Sequence, residues 1–268
     1  MRARGTEASL PWWPTAEERR RTLSEQRRAR RRAARSESPS PAKAAVDAAD
    51  VVTAAVRIID ADGLDALTIR RLAADLGVAP MTVYSYVGSK DELLDRVVDR
   101  VAAEVTIPPQ TWPWLRRAKT LAHRLRDVLL LHPEGARLIG ERPMRSPHAF
   151  RIFDAGLGIF RDAGFSDRAA VEAYFAFGNY VMGVAAQETT TLRQAQRVGA
   201  SDADAQSTGA YAAGLPPATF PNVAALAAYI YPTPDAEPSA PASSALARFD
   251  FGLDSLLDGL AARLTEGR

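Results

Sequence analysis

Hydroxyl, phenol and basic side chains are interspersed with small apolar residues between Thr68 and Lys90. Thr82, Tyr84 and Ser85 lie close together in this stretch, and the lysine follows soon after them. Such groups donate and accept hydrogen bonds and contact negative charge, but they include no paired nucleophile and base. The stretch therefore predicts a recognition surface rather than a catalytic centre.

Helical spacing and capping residues predict two short helices here. Thr68 is the predicted N-cap of the first helix, and Gly77 is placed to end it. The second helix is predicted from about Pro80 to Tyr86, because proline suits a first helical turn, and Gly88 ends it. The apolar residues predicted to be buried are Ile69, Leu72, Ala73, Leu76, Val83 and Val87. Two helices joined by a tight glycine turn are typical of the helix-turn-helix motif that reads DNA.

Further helices are predicted on both sides of this motif. The upstream helix runs from about 48 to 61, with Asp47 as its N-cap, Asp50 three residues later and Gly63 at its end. Ser89 is placed to cap a downstream helix that leads toward Pro108. We expect this downstream helix to connect the motif to the rest of the chain.

Four motifs in this region carry a family resemblance. They read Thr68-x-Arg70-Arg71-Leu72-Ala73, Leu76-Gly77-Val78, Thr82-Val83-Tyr84-x-Tyr86-Val87 and Lys90-Asp91-Glu92-Leu93-Leu94. Together with the residues from Val51 to about Val105, they resemble the TetR family of bacterial transcriptional regulators. The resemblance implies an all-α fold, with an N-terminal three-helix helix-turn-helix DNA-binding domain and a C-terminal helical ligand-binding and dimerisation domain.

The resemblance also implies roles for individual residues. Thr68 and Arg70 are assigned to DNA contact from the first, positioning helix. The residues assigned to the groove-facing side of the recognition helix are Pro80, Met81, Thr82, Ser85 and Tyr86. Tyr84 and Lys90 are assigned to phosphate contacts. The sequence leaves open which of these residues touch bases and which touch phosphates.

Composition narrows the class of protein. The chain has 268 residues, of which 47% are hydrophobic and 25% are charged, as is ordinary for a soluble globular protein. The absence of cysteine excludes disulfides and favours a reducing cytoplasm. No apolar run reaches the roughly 18 residues that a membrane span needs. The sequence contains no phosphate-binding loop, zinc-protease motif or nucleophile elbow, so we do not predict an enzyme.

Charge divides the chain into three predicted parts. Residues 1–43 contain 12 basic and 5 acidic residues, a net charge of +7, and form a predicted disordered extension. Residues 44–107, the predicted DNA-binding domain, contain 6 basic and 11 acidic residues, a net charge of −5. Residues 108–268 are balanced at 16 of each. A basic arm could supply the phosphate attraction that the acidic domain lacks.

The region after Pro109 is predicted to be helical throughout. Its predicted helices are 114–131, a short segment through 139, 147–163, 166–194, 223–230 and 244–264, with a loop at 195–218 and a proline-rich connector at 232–241. The motifs Leu131-His132-x-x-Gly135-Ala136, Arg142-Pro143, Ala163-Gly164-Phe165-Ser166 and Phe249-x-Phe251-Gly252-Leu253 resemble the tetracycline-repressor branch of the family. That resemblance implies a homodimer in which the helix from Ser166 and the last helix pack against their copies.

One stretch departs from that branch. Tetracycline repressors place a metal-binding histidine after the Gly-Ala pair, where this chain has Arg137-Leu138-Ile139-Gly140-Glu141. We therefore predict no metal and no cofactor, and we do not predict tetracycline as the ligand. Candidate pocket-lining residues are His123, Phe153, Leu157, Tyr174, Phe177, Asn179, Met182 and Gln187. Asn179 is foremost, since a buried amide needs partners that a ligand or the facing subunit could supply.

These features predict a ligand-responsive, sequence-specific transcriptional regulator. In this interpretation a homodimer represses from a near-palindromic operator in double-stranded DNA, and a small apolar molecule releases it. An activator of the same fold is equally compatible with the sequence. The arginine-rich extension also leaves open a nonspecific or architectural nucleic-acid-binding protein, and removal of residues 1–43 discriminates between the two classes.

Overall fold

All the regular structure in the described part of the chain is helical. The computed structural model describes residues 25, 26, 29, 46–142, 145–198, 211, 212, 214–230 and 245–266. The helices are α1 (Ala48–Asp62), α2 (Ile69–Leu76), α3 (Pro80–Val87), α4 (Lys90–Ala102), α5 (Trp114–Leu131), α6 (Pro133–Glu141), α7 (Pro147–Ala163), α8 (Asp167–Val198), α9 (Pro221–Ile230) and α10 (Ala245–Glu266). A short 3-10 turn, Leu64–Ala66, joins α1 to α2. The all-α prediction is confirmed.

Capping residues set the ends of the first helices as predicted. Asp47 and Asp50 form a reciprocal capping box, with amide-to-carboxylate distances of 2.8 and 3.0 Å. The amide of Glu92 donates to the Ser89 hydroxyl at the start of α4, at 3.1 Å. Gly77 ends α2 with φ of 66°, in the left-handed region that only glycine adopts readily. These local signals place α2 and α3 at a fixed angle around a tight turn.

Several helix ends differ from the prediction by a few residues. α6 continues past Gly140 to Glu141, because an isolated glycine weakens a helix without ending it. α8 extends to Val198, so residues 195–198 of the predicted loop are helical. Residues 199–210 of that loop, the connector at 232–241 and nearly all of the basic extension lie outside the described residues. No helix in the described ranges is both long and apolar enough to cross a membrane.

The first four helices share one apolar core, and we call them the head. The fully buried side chains at its centre include Val51, Leu72, Val83 and Leu93, each 0% exposed. Leu138 of α6 belongs to the same buried cluster although it lies well beyond the head in sequence. The core that fixes the helix-turn-helix is therefore completed from outside it.

The chain forms two compact units, one ending at Ala186 and one beginning at Gln187. The first contains the head, α5 to α7 and most of α8. Its aromatic core includes Phe160, whose ring centroid lies 6.2 Å from that of Trp114 and 5.8 Å from that of Phe177. In the second unit, the buried residues of α10 recur at helical spacing and are Leu246, Phe249, Leu253, Leu257 and Leu260. The predicted boundary between residues 107 and 108 stays a prediction.

Gly77 and Gly158 allow a matched test of the turn between α2 and α3. An added Cβ would meet no atom within 4 Å at Gly77 or at Gly158, but only Gly77 has a positive φ. We expect Gly77→Ala to lower the free energy of unfolding by about 1–2 kcal/mol. Gly158→Ala, inside α7, should raise it by about 0.5–1 kcal/mol. Urea denaturation followed by circular dichroism measures both, and equal effects would contradict this account of the turn.

Candidate nucleic-acid interface

The exposed side of α2 presents Thr68 and Arg70. The Thr68 hydroxyl accepts a hydrogen bond from the amide of Arg71 at 3.1 Å, which holds the first turn of the helix in place. Arg71 itself is ion-paired with Asp62. Arg70 is exposed. Both arginines are therefore exposed, and Arg71 is paired with the end of α1.

One side of α3 is buried and the other is open. Val83 and Val87 are 0% exposed and fix the helix against the head core. On the open side, Met81 is 74% exposed and Tyr84 is 39% exposed. The Ser85 hydroxyl donates to the carbonyl oxygen of Thr82 at 2.7 Å, so its oxygen remains an acceptor for a further partner. This short helix presents apolar, phenolic and hydroxyl groups on one face, the mixture that reads base edges.

The remaining predicted DNA contacts differ in exposure. Pro80 and Lys90 are exposed at the first turns of α3 and α4. Thr82 is half-buried, and Tyr86 is half-buried with its ring packed against the head core. Tyr86 is predicted to lie on the groove-facing side, and in the structure it also packs against the head core, because it lies beside Val87 at the edge of the buried face. The DNA-contact roles of these residues stay predictions.

A buried histidine joins the head to α6. His132 is 0% exposed; its Nδ1 lies 2.9 Å from an Asp60 carboxylate oxygen, and its Nε2 lies 3.3 Å from a Glu104 oxygen. Asp60 belongs to α1 and Glu104 follows α4. Burial alone lowers the pKa of the imidazole, but the two carboxylates outweigh it and raise the pKa above its ordinary value of 6.5.

Carboxylates at every fourth position of α4 bind the segment between α6 and α7. The Arg142 guanidinium lies 2.7 Å from Asp95 and 3.4 Å from Asp91, and its hydrogen bond to Asp95 raises its pKa. Asp99 accepts from the Ser146 hydroxyl and from the backbone amide of His148. Burial alone raises the pKa of Asp99, but these hydrogen bonds lower it overall. The head is therefore held by charge as well as by apolar contact.

Close packing completes this connection. A Cβ added at Gly135 of α6 would lie 3.2 Å from the Cβ of His132 and 3.3 Å from a methyl group of Val101. The absence of a side chain lets α6 approach α4 closely. We call the contacts of Leu138, Gly135 and His132 with the head the head–α6 joint. This joint was not predictable from the sequence, although His132 and Gly135 lie in one of the motifs.

The predicted effector-pocket residues lie in several environments. His123 and Phe177 are 1% exposed. Phe153, Leu157, Tyr174 and Met182 are half-buried, and the rings of Phe153 and Tyr174 meet edge to face at 4.8 Å. Burial raises the pKa of Tyr174. Asn179 and Gln187 are exposed in the single chain. The predicted pocket-lining roles of these residues stay predictions.

A row of buried polar residues lies along α5, and of its members only His123 was singled out from the sequence. Arg117, Thr120, His123 and Arg126 recur at every third position and are each at most 4% exposed. Arg117 pairs with Asp162 at 2.6 Å. Among the residues described, Arg117 Nε and Thr120 Oγ1 have no hydrogen-bond partner. The three-residue spacing of polar groups within an apolar helix was the available signal.

Comparison with known proteins identifies the family. Residues 51–97 match the model of bacterial regulatory proteins of the tetR family. Residues 108–264 match the tetracyclin repressor-like C-terminal domain. A curated relative is the HTH-type transcriptional repressor DrrR1 of Streptomyces coeruleorubidus, 30% identical over 222 residues that cover 81% of this chain and 78% of that protein.

Solved structures agree with these matches. ActR of Streptomyces coelicolor without ligand has a TM-score of 0.69 at 29% identity, covering 85% of this chain and 100% of ActR. ActR in complex with actinorhodin has a TM-score of 0.67 at 30% identity, covering 82% of this chain and 99% of ActR. BioQ of Mycobacterium smegmatis, solved with its double-stranded DNA operator, has a TM-score of 0.55 at 26% identity, covering 81% of this chain and 99% of BioQ. Since the matched models span both parts of the chain, the protein belongs to the TetR family of bacterial transcriptional regulators.

Proposed function

We propose that this protein is a homodimeric repressor that binds a near-palindromic operator and is released from it by a small molecule. The observation that carries the proposal is the one-sided α3 helix, on which Val83 and Val87 are buried while Met81, Tyr84 and Ser85 face outward. In a dimer, two such helices enter successive major grooves about 34–36 Å apart. The relative BioQ, solved with its operator, supports a DNA partner of this kind.

The effector is proposed to bind in the helical region that follows the head. ActR, which this chain resembles, has been solved with actinorhodin, and this supports a small-molecule effector. The half-buried Phe153, Leu157 and Tyr174 provide apolar and aromatic surface for it. Thr120 on α5 could add a hydrogen bond, because its buried hydroxyl has no partner within the described residues. A metal-chelated tetracycline lacks its histidine anchor here.

Release requires that the effector prefer one arrangement of the two heads over the other. A ligand shifts an equilibrium only by the difference between its affinities for the two states. Moving a population from 99:1 to 1:99 takes about 10⁴-fold, or roughly 5.5 kcal/mol. The proposal therefore needs an effector that binds the DNA-free arrangement far more tightly.

Fluorescence anisotropy tests the proposed function directly. The full-length protein is titrated onto duplex DNA from upstream of its own coding region and onto a shuffled duplex, at low and at moderate salt. We expect a preference of about 10³ or more for the native duplex, retained when salt is added. Equal binding that collapses with salt would favour an architectural protein instead.

Lys90 offers a test of phosphate contact at the head. We expect Lys90→Ala to weaken binding to the native and the shuffled duplex alike, because a phosphate contact carries no sequence information. On the preferred duplex, the slope of log affinity against log salt should fall by about 0.9, because one phosphate contact is lost. Lys119→Ala is the matched control, since it removes the same charge from α5. If the slope were unchanged in both variants, Lys90 would not contact phosphate.

Removal of residues 1–43 distinguishes the repressor from an architectural protein. The deleted segment carries a net charge of +7, so its loss should weaken binding to native and shuffled duplexes alike and lower the salt dependence. The ratio of the two affinities should stay near its full-length value, because base contacts lie on α3. Loss of nearly all binding, with no remaining preference, would contradict the repressor.

A further inference from the structure

His132 occupies an unusual electrostatic position in the joint. Both of its ring nitrogens face carboxylates from different parts of the head: Asp60 at 2.9 Å and Glu104 at 3.3 Å. The carboxyl side chains are themselves only 11% and 18% exposed. Water therefore does little to screen these three groups from one another.

The chemistry of imidazole decides which form fits this position. A neutral ring has one N–H donor and one lone pair, so one nitrogen would turn its lone pair toward a carboxylate. The imidazolium has two N–H donors and can donate to both acids at once. The direction of the pKa shift, upward in spite of burial, agrees with this geometry.

The charges around the ring also favour the imidazolium. From α4, Arg100 pairs with Glu104 at 3.2 Å. From α6, Glu134 and Arg137 neutralise each other at 3.8 Å, and on α5 Asp127 lies 3.7 Å from Arg126. With Asp60, Glu104 and Arg100 charged, the cluster is neutral when His132 is protonated and carries one negative charge when it is not.

We propose that His132 is a positioning residue that holds the head in its operator-binding orientation only while the imidazole is charged, so that operator binding weakens in alkaline solution. The proposal rests on the function proposed above for the head. It applies to the link between the head and α6 and assigns no DNA contact to the histidine.

The sign of the pH dependence follows from linkage. Because the folded-state pKa lies above 6.5, the bridge is fully formed below the pKa of an unfolded histidine. It is lost as the pH rises through the folded value. A neutral ring then leaves the cluster with one net negative charge at the point where α1, α4 and α6 meet.

Nuclear magnetic resonance of the imidazole nitrogens tests the charge directly. The chain has three histidines, so His123→Gln and His148→Gln variants assign the signals of His132. At about pH 6.5, the ordinary histidine pKa, we expect the ring with both nitrogens protonated to be the main form of His132. A single neutral tautomer at that pH would overturn the proposal without any DNA being present.

Operator affinity between about pH 6 and about pH 9 tests the consequence, because only histidines among the side chains normally titrate near this range. The probe is the duplex that the full-length protein prefers. We expect the affinity of the unaltered protein to fall by about fivefold or more across the range, the lower end of ordinary coupling. His132→Gln should bind weakly throughout and show little pH dependence. His148→Gln removes the other imidazole that lies beside a head carboxylate, 2.9 Å from Asp99, and the fall in affinity with pH should persist in this variant whatever its affinity at about pH 6.

A second variant separates positioning from folding. Asp60→Asn removes one carboxylate but keeps the side chain's shape, so it should move the loss of affinity to lower pH. A merely structural role for His132 would weaken binding in Asp60→Asn without moving the profile, and this outcome would contradict the proposal. A charged His132 with pH-independent operator binding would contradict it as well. If the protein binds no duplex at any pH, the proposed function fails, while the resonance experiment still decides the charge.

Discussion

The position of the helix-turn-helix depends on a core that the head does not complete by itself. Leu138 lies in α6, yet it is 3% exposed within the same apolar cluster as Val51, Leu72 and Val83. A domain as small as the head buries only a modest fraction of its surface and is marginally stable alone. Apolar burial against α6 therefore contributes to the stability of the head and also fixes its orientation relative to the helices that follow.

Polar contacts between the head and the segments on either side of α6 supplement the apolar contact of Leu138. Asp91, Asp95 and Asp99 lie one turn apart on α4. Arg142, which follows α6, binds the first two, and the Ser146–His148 segment binds Asp99. His132 binds the ends of α1 and α4. Hydrogen bonds and ion pairs require specific distances, whereas apolar surfaces can slide. A small displacement of α6 would therefore break one set of contacts as a whole, which is the behaviour expected of an element with two discrete positions.

Local features of the fold were predictable, and long-range contacts were not. Asp47, Ser89 and Gly77 set helix ends through groups a few residues away, so the sequence pattern was sufficient to place α1 to α4. The bridge between Asp60 and His132 joins residues 72 positions apart, and no periodicity records it. The ion pair between Arg117 of α5 and Asp162 joins residues 45 positions apart and is likewise long-range.

The candidate site shows the same division. The exposure of Met81 and the burial of Val83 follow from helical spacing and were predicted correctly. The packing of Tyr86 against the head core and the exposure of Asn179 depend on neighbouring helices, so helical spacing alone does not predict them. For Asn179, exposure in the single chain leaves the facing subunit as the partner suggested by the sequence.

The joint with α6 fixes the orientation of the head. The distance between the two heads of the proposed dimer tests this dependence most directly. The chain contains no cysteine, so Ala74→Cys on the exposed side of α2 accepts a single spin label in each subunit. Pulsed electron resonance should give one narrow distance distribution in the otherwise unaltered protein. Adding Leu138→Ala should broaden it while the remaining helices stay folded by circular dichroism. A distribution equally narrow and unmoved in the Leu138→Ala protein would show that α6 does not hold the head.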